Sequence, residues 1–512
     1  NIQESPNERL WINPEICENC GNCSTQSNCL SIVPVETKLG TKRQIDQDSC
    51  NYSFDCLTGF CPSFISVKGS RVSKPLVNVE LPPFQQGSNL GNWKFRTGKR
   101  YNILLAGTGG TGIISLSQML CVAAHIDGMK VVATDQTGLA QKYGAVTSML
   151  SFGRDAWGKM YPGTADLVIG ADPQVSTSAD VMRYVGEDTT TLLNSKPSNT
   201  GEYIENRDWK FDVDKAEELL KEHSKEVHMF NASEYAKKLT GYSLMVNMLM
   251  LGYAYEKGLL PIREASMIQA IETNGTMIDA NKEAWKIGRH IAITNSKSLI
   301  DREISKRHIL IHKDFGSQFY HRTTLLKEYQ DEKYAQKYKD IVIKVKALDS
   351  TLNKTKLSEA VMKNLYKLMA YKDEYEVARL WDKTLDSFNN DFFEIKGVNF
   401  HMSLPWQRKS KSKTRLPGHT KTLFKYLKHG KKLRGTKFDP LGYSYERKVE
   451  RKIRDVYIEK IDEWIHQITH FYAIIDNYDK IVALANQPNE IRGYGHVKID
   501  SIRRCSLFKD IV

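Results

Sequence analysis

The sequence has no long uninterrupted apolar run. A transmembrane helix needs ~20 consecutive apolar residues, and the best candidate, residues 243–253, is shorter and is interrupted by Asn247. The first residues contain neither the basic nor the apolar region of a secretory signal peptide. We therefore expect a soluble, cytoplasmic protein with no membrane partner. Because the first residue is Asn1 rather than Met, we also expect the start to be an interior point of a longer chain.

Cysteine is scarce outside one region. Of nine cysteines, seven lie between Cys17 and Cys61, and only Cys121 and Cys505 lie elsewhere. Histidine is absent from this cysteine-rich region. Such clustering indicates either a metal centre or disulfides. The net charge of +13 leaves nucleic acid, an acidic protein or a phosphorylated cofactor open as the partner.

The spacing of four cysteines favours one kind of metal centre. Cys17, Cys20 and Cys23 recur at two-residue gaps, and Cys61 followed by Pro62 supplies the residue pair that closes bacterial ferredoxin motifs. Disulfides would require an oxidising compartment, and zinc favours separated pairs or a mixture of cysteine and histidine. The pattern therefore predicts a [4Fe-4S] cluster bound by Cys17, Cys20, Cys23 and Cys61.

The remaining cysteines of the region, Cys29, Cys50 and Cys56, allow two interpretations. They are ligands of a second cluster whose fourth ligand is missing or comes from elsewhere, or they are structural thiols beside a single site. Their spacing departs from the tight triplet, so the number of clusters stays open.

A glycine-rich turn follows a predicted buried strand, YNILLAG, and precedes an apolar helix. The glycines are Gly107, Gly109, Gly110 and Gly112. Glycine lets the backbone approach a pyrophosphate at a helix N-terminus, and Asp135 ends the next strand, where dinucleotide folds place a ribose-binding acid. The alternative is that the glycines only allow close packing of the helix on the strand.

These segments predict a multidomain α/β plus α protein. We expect a ferredoxin-like, cysteine-rich module at 1–74, a linker at 75–97, a Rossmann-like, doubly wound α/β domain with a largely parallel sheet at 98–292, and a mainly helical domain at 300–512.

Several motifs in one order resemble a known family. They are CENCGNCSTQSNCL, RQIDQDSCNYSFDCLTGFCPSF, ILLAGTGGTGI and TDQTGLAQKYGAVTSML, then KLMAYKDEYEVARL, FHMSLP, LRGTKFDPLGYSYER and IRGYGHVK. Together they resemble the iron-sulfur region, gamma domain and helical C-terminal domain of indolepyruvate ferredoxin oxidoreductase, a 2-oxoacid:ferredoxin oxidoreductase. The sequence departs from the family at Met149, where histidine is frequent.

The resemblance implies an oxidoreductase that converts an aryl 2-oxoacid to its acyl-CoA and passes electrons through [4Fe-4S] to ferredoxin. Thiamine diphosphate and Mg would lie on another portion or subunit, because nothing in this chain resembles the Gly-Asp-Gly to Asn motif that anchors them. Coenzyme A would be the cosubstrate, and the four glycines would face it or the cofactor-bearing interface. The chain alone would not perform the decarboxylation, and a homo-oligomer without nucleic acid is expected.

Two alternatives use the same features differently. An iron-sulfur reductase with NAD or flavin would use the glycine turn and Asp135. A basic nucleic-acid-binding protein would use the cysteines for zinc and the C-terminal Lys and Arg for phosphates. His401 and His496 lie in the resembling motifs, and we interpret both as packing residues.

Overall fold

The computed structural model of the chain describes residues 7–69, 71–72, 100–138, 144–294, 314–384, 391–403, 413–470 and 474–512. The predicted linker, 75–97, and residues 139–143 lie outside these ranges. Two compact units divide the chain. Asn1–Val72 and Ile309–Val512 form one of them, the terminal unit, and Ser73–His308 form the other, the central unit.

The N-terminal part of the terminal unit is built from short elements. They are β1 (Glu8–Ile12), α1 (Asn22–Ser27), β2 (Ile32–Thr37), β3 (Gly40–Ile45), β4 (Phe64–Lys68) and β5 (Arg71–Val72). Strands β2 and β3 form an antiparallel hairpin. Most of the cysteines lie in the connections between these elements, because the segment is too rich in turns to form long helices.

The central unit alternates strands and helices. Its strands are β6 (Tyr101–Thr108), β7 (Val131–Thr137), β8 (Ala145–Phe152), β9 (Leu167–Gly170), β10 (Thr190–Asn194) and β11 (Glu226–Phe230). Its helices are α2 (Ile113–Ile126), α3 (Pro173–Ser176), α4 (Ala179–Met182), α5 (Gly201–Glu205), α6 (Val213–His223), α7 (Ala232–Thr240), α8 (Val246–Glu256), α9 (Glu264–Asn274) and α10 (Ile278–Thr294).

The strands of the central unit form one sheet in the order β11-β10-β9-β6-β8-β7. Strands β6, β9, β10 and β11 are parallel neighbours, whereas β8 runs antiparallel to both β6 and β7. Successive residues of β6 face opposite sides of the sheet. Ile103 packs in one apolar cluster with α2 and α8, and Leu104 packs in another with α4. Apolar side chains therefore cover both faces of β6, as the buried-strand pattern predicts.

The C-terminal part of the terminal unit is mainly helical. Its helices are α11 (Phe315–Tyr329), α12 (Glu332–Thr351), α13 (Lys356–Met369), α14 (Glu374–Thr384), α15 (Thr420–Leu427), α16 (Tyr445–His470), α17 (Ile474–Asn486) and α18 (Gly495–Arg503). Three short strands interrupt them: β12 (Phe392–Phe393), β13 (Gly397–Met402) and β14 (Thr414–Pro417). Aspartate caps start two helices, since Asp314 and Asp331 accept backbone N–H groups in the first turns of α11 and α12.

Strands from both ends of the chain meet in one antiparallel sheet of the terminal unit, in the order β1-β4-β13-β14. Strand β4 is central to this pairing: Ser66 lies opposite Leu10 of β1 and opposite Asn399 of β13. The strands come from 1–74 and 300–512, which were predicted to be separate domains, and they pair in one sheet. None of the described helices is both long and apolar enough to cross a bilayer.

Candidate iron-sulfur site

The loop that carries the cysteine triplet is held by turns with unusual backbone angles. The N–H of Cys17 donates to the carbonyl of Asn13 over 2.9 Å. Asn19 has φ 50° and Gly21 has φ 79°, in the left-handed region that glycine adopts without steric cost and that asparagine tolerates. Helix α1 begins directly after Gly21 and contains Cys23, so the three cysteines share one short loop and one helical turn.

The four predicted ligands lie near enough for their thiols to affect one another's pKa. Burial, and after it the thiols of Cys61 and Cys23, raise the pKa of Cys20. Burial, and then the thiols of Cys17 and Cys61, raise the pKa of Cys23 to about 12. Burial also raises the pKa of Cys61, whose Sγ lies 2.9 Å from Oγ of Ser63. Cys61 thus joins the triplet although it lies far along the chain from it.

The other three cysteines form a second group. Burial, followed by the thiol of Cys29, raises the pKa of Cys56 to about 12, and the thiol of Cys50 adds to this increase. Cys56 lies in a single 3-10 turn, Asp55–Leu57. Both groups border one apolar cluster around the fully buried Phe64. Cys29, Cys50 and Cys56 therefore lie near one another as a second group.

A buried cation faces the cysteine loop. Arg43 is 1% exposed, and its Nε donates to Oδ1 of Asn19 over 2.8 Å. Its charge opposes the increase in the pKa of Cys23 because it stabilises a nearby thiolate. A cluster ligated by four thiolates is negatively charged, so a buried guanidinium beside the loop fits such a group.

The donor set also fits a cluster. Across the described ranges, no three His, Cys, Asp or Glu side chains converge on one metal-ion position. A [4Fe-4S] cluster makes a different demand, because each thiolate binds its own iron and the sulfurs surround the cluster instead of a single ion. Cys17, Cys20, Cys23 and Cys61 are the residues that would hold it.

A carboxylate next to the triplet is kept ionised by lysines. Glu18 is deeply buried, which by itself would raise the pKa of its carboxyl group; the charges of Lys372 and Lys498 overcome this effect and lower the pKa to about 2. Nζ of Lys372 lies 2.5 Å from the Glu18 carboxylate. The negative charge of Glu18 is thus paired, and it adds no isolated negative charge beside the thiolates.

The first two glycines of the glycine-rich turn, Gly107 and Gly109, are engaged within the protein. A Cβ atom on Gly107 would lie 2.7 Å from Cδ1 of Ile113, the first residue of α2. The N–H of Gly109 already donates to the carbonyl of Gly144 over 2.7 Å. Gly107 therefore supports the packing interpretation, and the N–H of Gly109 is already bonded within the protein.

The last two glycines of the turn, Gly110 and Gly112, are exposed, unlike the first two. They have φ 84° and φ 88°. A Cβ atom on Gly110 would meet no atom within 4 Å, and Gly112 directly precedes α2. Asn247 buttresses the turn, because its Nδ2 donates to the carbonyl of Thr111 over 2.6 Å. These two glycines are the ones whose backbone is accessible to a ligand or to a partner surface.

The position of Asp135 weakens the dinucleotide interpretation. Asp135 lies in β7, and β8 separates β7 from β6, the strand that leads into the glycine turn. Its carboxylate accepts a hydrogen bond from the hydroxyl of Ser148 in β8. In a dinucleotide fold the acid lies on the strand beside the glycine turn, and this sheet does not provide that arrangement.

The histidines of the resembling motifs have structural surroundings. His401 is buried in β13, and its Nε2 lies 2.8 Å from Oγ of Ser66. Burial, followed by the charge of Arg415, lowers the pKa of His401 to about 4. His496 is exposed and its ring makes an edge contact with Phe60, with 6.0 Å between centroids. The residues that sequence reasoning missed are Arg43, Lys372 and Tyr494, which surround the cysteine loop but belong to no cysteine motif.

Two family models match separate parts of the chain. Residues 102–291 match the family described as pyruvate ferredoxin/flavodoxin oxidoreductase, and residues 316–509 match a family of unknown function, DUF6537. The first match falls within the central unit and the second within the terminal unit. The central unit is therefore a domain of the 2-oxoacid ferredoxin oxidoreductase class.

Sequence comparison with related proteins identifies the family within this class. The indolepyruvate oxidoreductase subunit IorB of Methanothermobacter thermautotrophicus is 31% identical over 191 residues, which are 37% of this chain and 95% of that protein. The IorB subunit of Thermococcus kodakarensis is 25% identical over 197 residues, with the same coverage. The chain belongs to the family of indolepyruvate oxidoreductase subunits IorB. Among solved structures, the pyruvate oxidoreductase subunit PORC of Thermotoga maritima matches 37% of this chain and 96% of its own, at 24% identity and a TM-score of 0.28.

Proposed function

We propose that this chain is the electron-transfer and gamma-type part of an aryl 2-oxoacid ferredoxin oxidoreductase, with a [4Fe-4S] cluster on Cys17, Cys20, Cys23 and Cys61. The observation that supports the proposal is that the thiols of Cys17, Cys23 and Cys61 all act on the pKa of Cys20, within a chain of the IorB family. The substrate class, an indolepyruvate-like 2-oxoacid, comes from the relatives' names.

The protein's own residues prepare the site for negative charge. When bound, such a cluster accepts and releases single electrons. The raised pKa of Cys23 means that its thiol is protonated at neutral pH without a bound metal, so ligation must displace the proton. Arg43 holds the loop through Asn19 and offsets part of the thiolate charge.

A partner completes the reaction. The relatives are named as subunits, and we propose a thiamine diphosphate portion with Mg on a partner chain or preceding sequence, with ferredoxin as electron acceptor. Coenzyme A is the proposed cosubstrate, and Gly110 and Gly112 are the members of the glycine turn that remain exposed to it or to the cofactor-bearing interface.

Metal analysis after anaerobic purification tests the cluster. We expect iron and sulfide at about four per chain for one cluster and about eight for two, with visible absorption that bleaches on reduction by dithionite. Stoichiometric zinc without sulfide would contradict the proposal. The iron count also decides whether Cys29, Cys50 and Cys56 hold a second cluster.

The Cys20→Ala variant tests the ligand assignment. We expect it to lose the iron of this cluster, because one of four thiolates is removed from the centre of the triplet. The matched control is Cys121→Ala in the central unit, which should retain wild-type iron. Wild-type iron in Cys20→Ala would show the assignment to be wrong.

The glycine turn is tested with the complete enzyme. Gly110→Asp adds a negative charge at an exposed position whose backbone aspartate tolerates, so we expect a higher KM for coenzyme A if a phosphate approaches the turn. Gly110→Asn is the neutral control of equal shape. Equal KM values in the two variants would exclude a phosphate from this turn.

A further inference from the structure

The C-terminal helical region contacts the backbone of the cysteine loop from several directions. The hydroxyl of Tyr494 donates to the carbonyl of Ile16 over 2.6 Å, and Nζ of Lys372 donates to the same carbonyl over 3.1 Å. Arg492 donates to the carbonyl of Asn19 over 3.4 Å. These donors satisfy buried carbonyl groups on both sides of Cys17, which would otherwise be costly to bury.

The segment around the fourth ligand is held in the same way. Nε1 of the fully buried Trp381 donates to the carbonyl of Pro62, the residue after Cys61, over 3.2 Å. A Cβ atom on Gly493 would lie 3.3 Å from Cβ of Cys20, so the backbone at Gly493 packs closely against a ligand. The donors and this contact all come from residues 316–509, the part matched by the family of unknown function.

We propose that this helical region fixes the conformation of the iron-sulfur loop and protects the bound cluster from oxygen and chelators. This proposal rests on the proposed function. Side chains that bond the loop carbonyls keep the four thiols in place before and after iron binds. They also cover the loop, since Tyr494, Trp381 and Ile16 are buried in one apolar cluster. Loosening any of these bonds should expose the bound cluster to oxygen and chelators.

The test compares two tyrosines that each donate to a backbone carbonyl. Tyr494→Phe removes the bond to Ile16, and Tyr443→Phe removes a bond of 2.8 Å to the carbonyl of Lys437 at an exposed site. The proteins are purified anaerobically, their iron is measured, and the half-time of bleaching in air is recorded. Lys372→Gln is a second variant that affects the same carbonyl.

We expect Tyr494→Phe to bleach about fivefold faster, the change in an opening equilibrium that loss of one buried hydrogen bond produces. Lys372→Gln, which also breaks the ion pair with Glu18, should bleach at least as fast. Tyr443→Phe should match the wild type. Wild-type half-times in both loop variants would overturn the inference. An iron-free wild-type protein would instead refute the proposed function, so the two failures are distinguishable.

A separate observation concerns one buried ammonium group. Nζ of Lys413 is buried and has no hydrogen-bond partner within the described part of the chain, although it lies 3.9 Å from the centroid of the Phe64 ring. Phe64 packs with Cys17 of the first cysteine group and with Cys56 of the second. A buried ammonium without an anionic partner is unfavourable, and burial lowers the pKa of Lys413; negative charge on Cys61 and Cys23 would oppose this effect.

We infer that the positive charge of Lys413 raises the reduction potential of the bound cluster. A nearby positive charge stabilises the more negative, reduced form over the oxidised form. Its ring contact with Phe64 holds the ammonium in place but satisfies none of its N–H groups. This inference also rests on the proposed function.

The test measures the midpoint potential of the cluster by redox titration followed by electron paramagnetic resonance. Lys413→Gln removes the charge, and Lys413→Arg keeps it. We expect Lys413→Gln to lower the midpoint potential. For a one-electron centre, a tenfold change in the reduction equilibrium corresponds to about 59 mV. Lys413→Arg should stay close to the wild type.

Each remaining outcome decides the inference. Equal potentials in Lys413→Gln and the wild type would overturn it, as would equal shifts in Lys413→Gln and Lys413→Arg. If Lys413→Gln cannot retain iron and Lys413→Arg can, the charge is required for binding the cluster and not for setting its potential, which would overturn the inference. Loss of iron from both variants would show that the shape of lysine matters and would overturn it.

Discussion

In the central unit the strands that surround β6 come from one continuous stretch, whereas in the terminal unit β4 pairs with β13 from the far end of the chain. The glycine turn of the central unit is held by residues of that same continuous stretch, through the carbonyl of Gly144 and the side chain of Asn247. The cysteine loop of the terminal unit instead depends on side chains from distant residues, such as Tyr494 and Lys372. Residue patterns that are close along the chain therefore predict the glycine turn well and the cysteine site only in part.

The comparison predicts that a mutation in one unit leaves the other unit's site intact. The variants below test this, from the largest expected effect to the smallest.

Trp381→Ala should have the largest effect. Trp381 is fully buried and packs edge-on against Phe400 with 5.2 Å between centroids. Truncating a buried tryptophan costs about 3–5 kcal/mol, so we expect the free energy of unfolding of the terminal unit to fall by that amount and iron to be lost. Calorimetry should show the central unit's transition unchanged. The control, Trp157→Ala, alters a side chain that is 63% exposed and should change little; equal loss of both transitions would break the comparison.

Gly107→Ala should destabilise only the central unit. The added Cβ atom would lie 2.7 Å from Cδ1 of Ile113, and overpacking of this kind costs about 1–3 kcal/mol. Denaturant unfolding should detect the loss, and iron content should remain at the wild-type level. Adding Ile113→Val removes the nearer of the two clashing Ile113 atoms and should restore part of the stability. Gly201→Ala, where a Cβ atom meets nothing within 4 Å, is the control; an equal loss there would refute the packing explanation.

His401→Gln should change the pH dependence of the terminal unit. The pKa of His401 is lowered from 6.5 to about 4 in the folded protein, so the unfolded chain binds the proton first as pH falls. Stability should therefore be complete above pH 6.5 and decline between pH 6.5 and about 4, by about 2 kcal/mol after allowance for solvent screening.

Unfolding free energies measured between pH 4 and pH 7 check this slope. His401→Gln should flatten the slope because it removes the titrating group, while His223→Gln, which alters an exposed histidine of the central unit, should leave it unchanged. An unchanged slope in His401→Gln would show that other groups cause the acid sensitivity.

Much of the central unit was predictable because its signals are local. The apolar run YNILLAG predicts β6, and the glycines after it predict the turn into α2. The insertion of β8 between β6 and β7 was not predictable, since strand order depends on which edge is free in the folded sheet. That order explains why Asp135, placed correctly along the chain, does not lie on the strand beside the glycine turn.

The cysteine site divides in the same way. Cys17, Cys20 and Cys23 are predictable because their spacing alone places them in one loop. Arg43 and Lys372 lie inside stretches that resemble the family, but neither they nor Lys413 has a spacing that marks a site residue, and basic residues are usually solvated on a surface. Only their burial beside the loop distinguishes them.

By itself, the sequence determined which chemical groups are present and which of them lie close along the chain: the cysteine triplet, the glycine turn and the apolar strand before it. The tertiary structure alone decided that β13 pairs with β4 and that Tyr494 reaches Ile16. Spacing along a chain constrains only neighbours within a few residues. Contacts between its two ends depend on how strands and helices bury their apolar faces together.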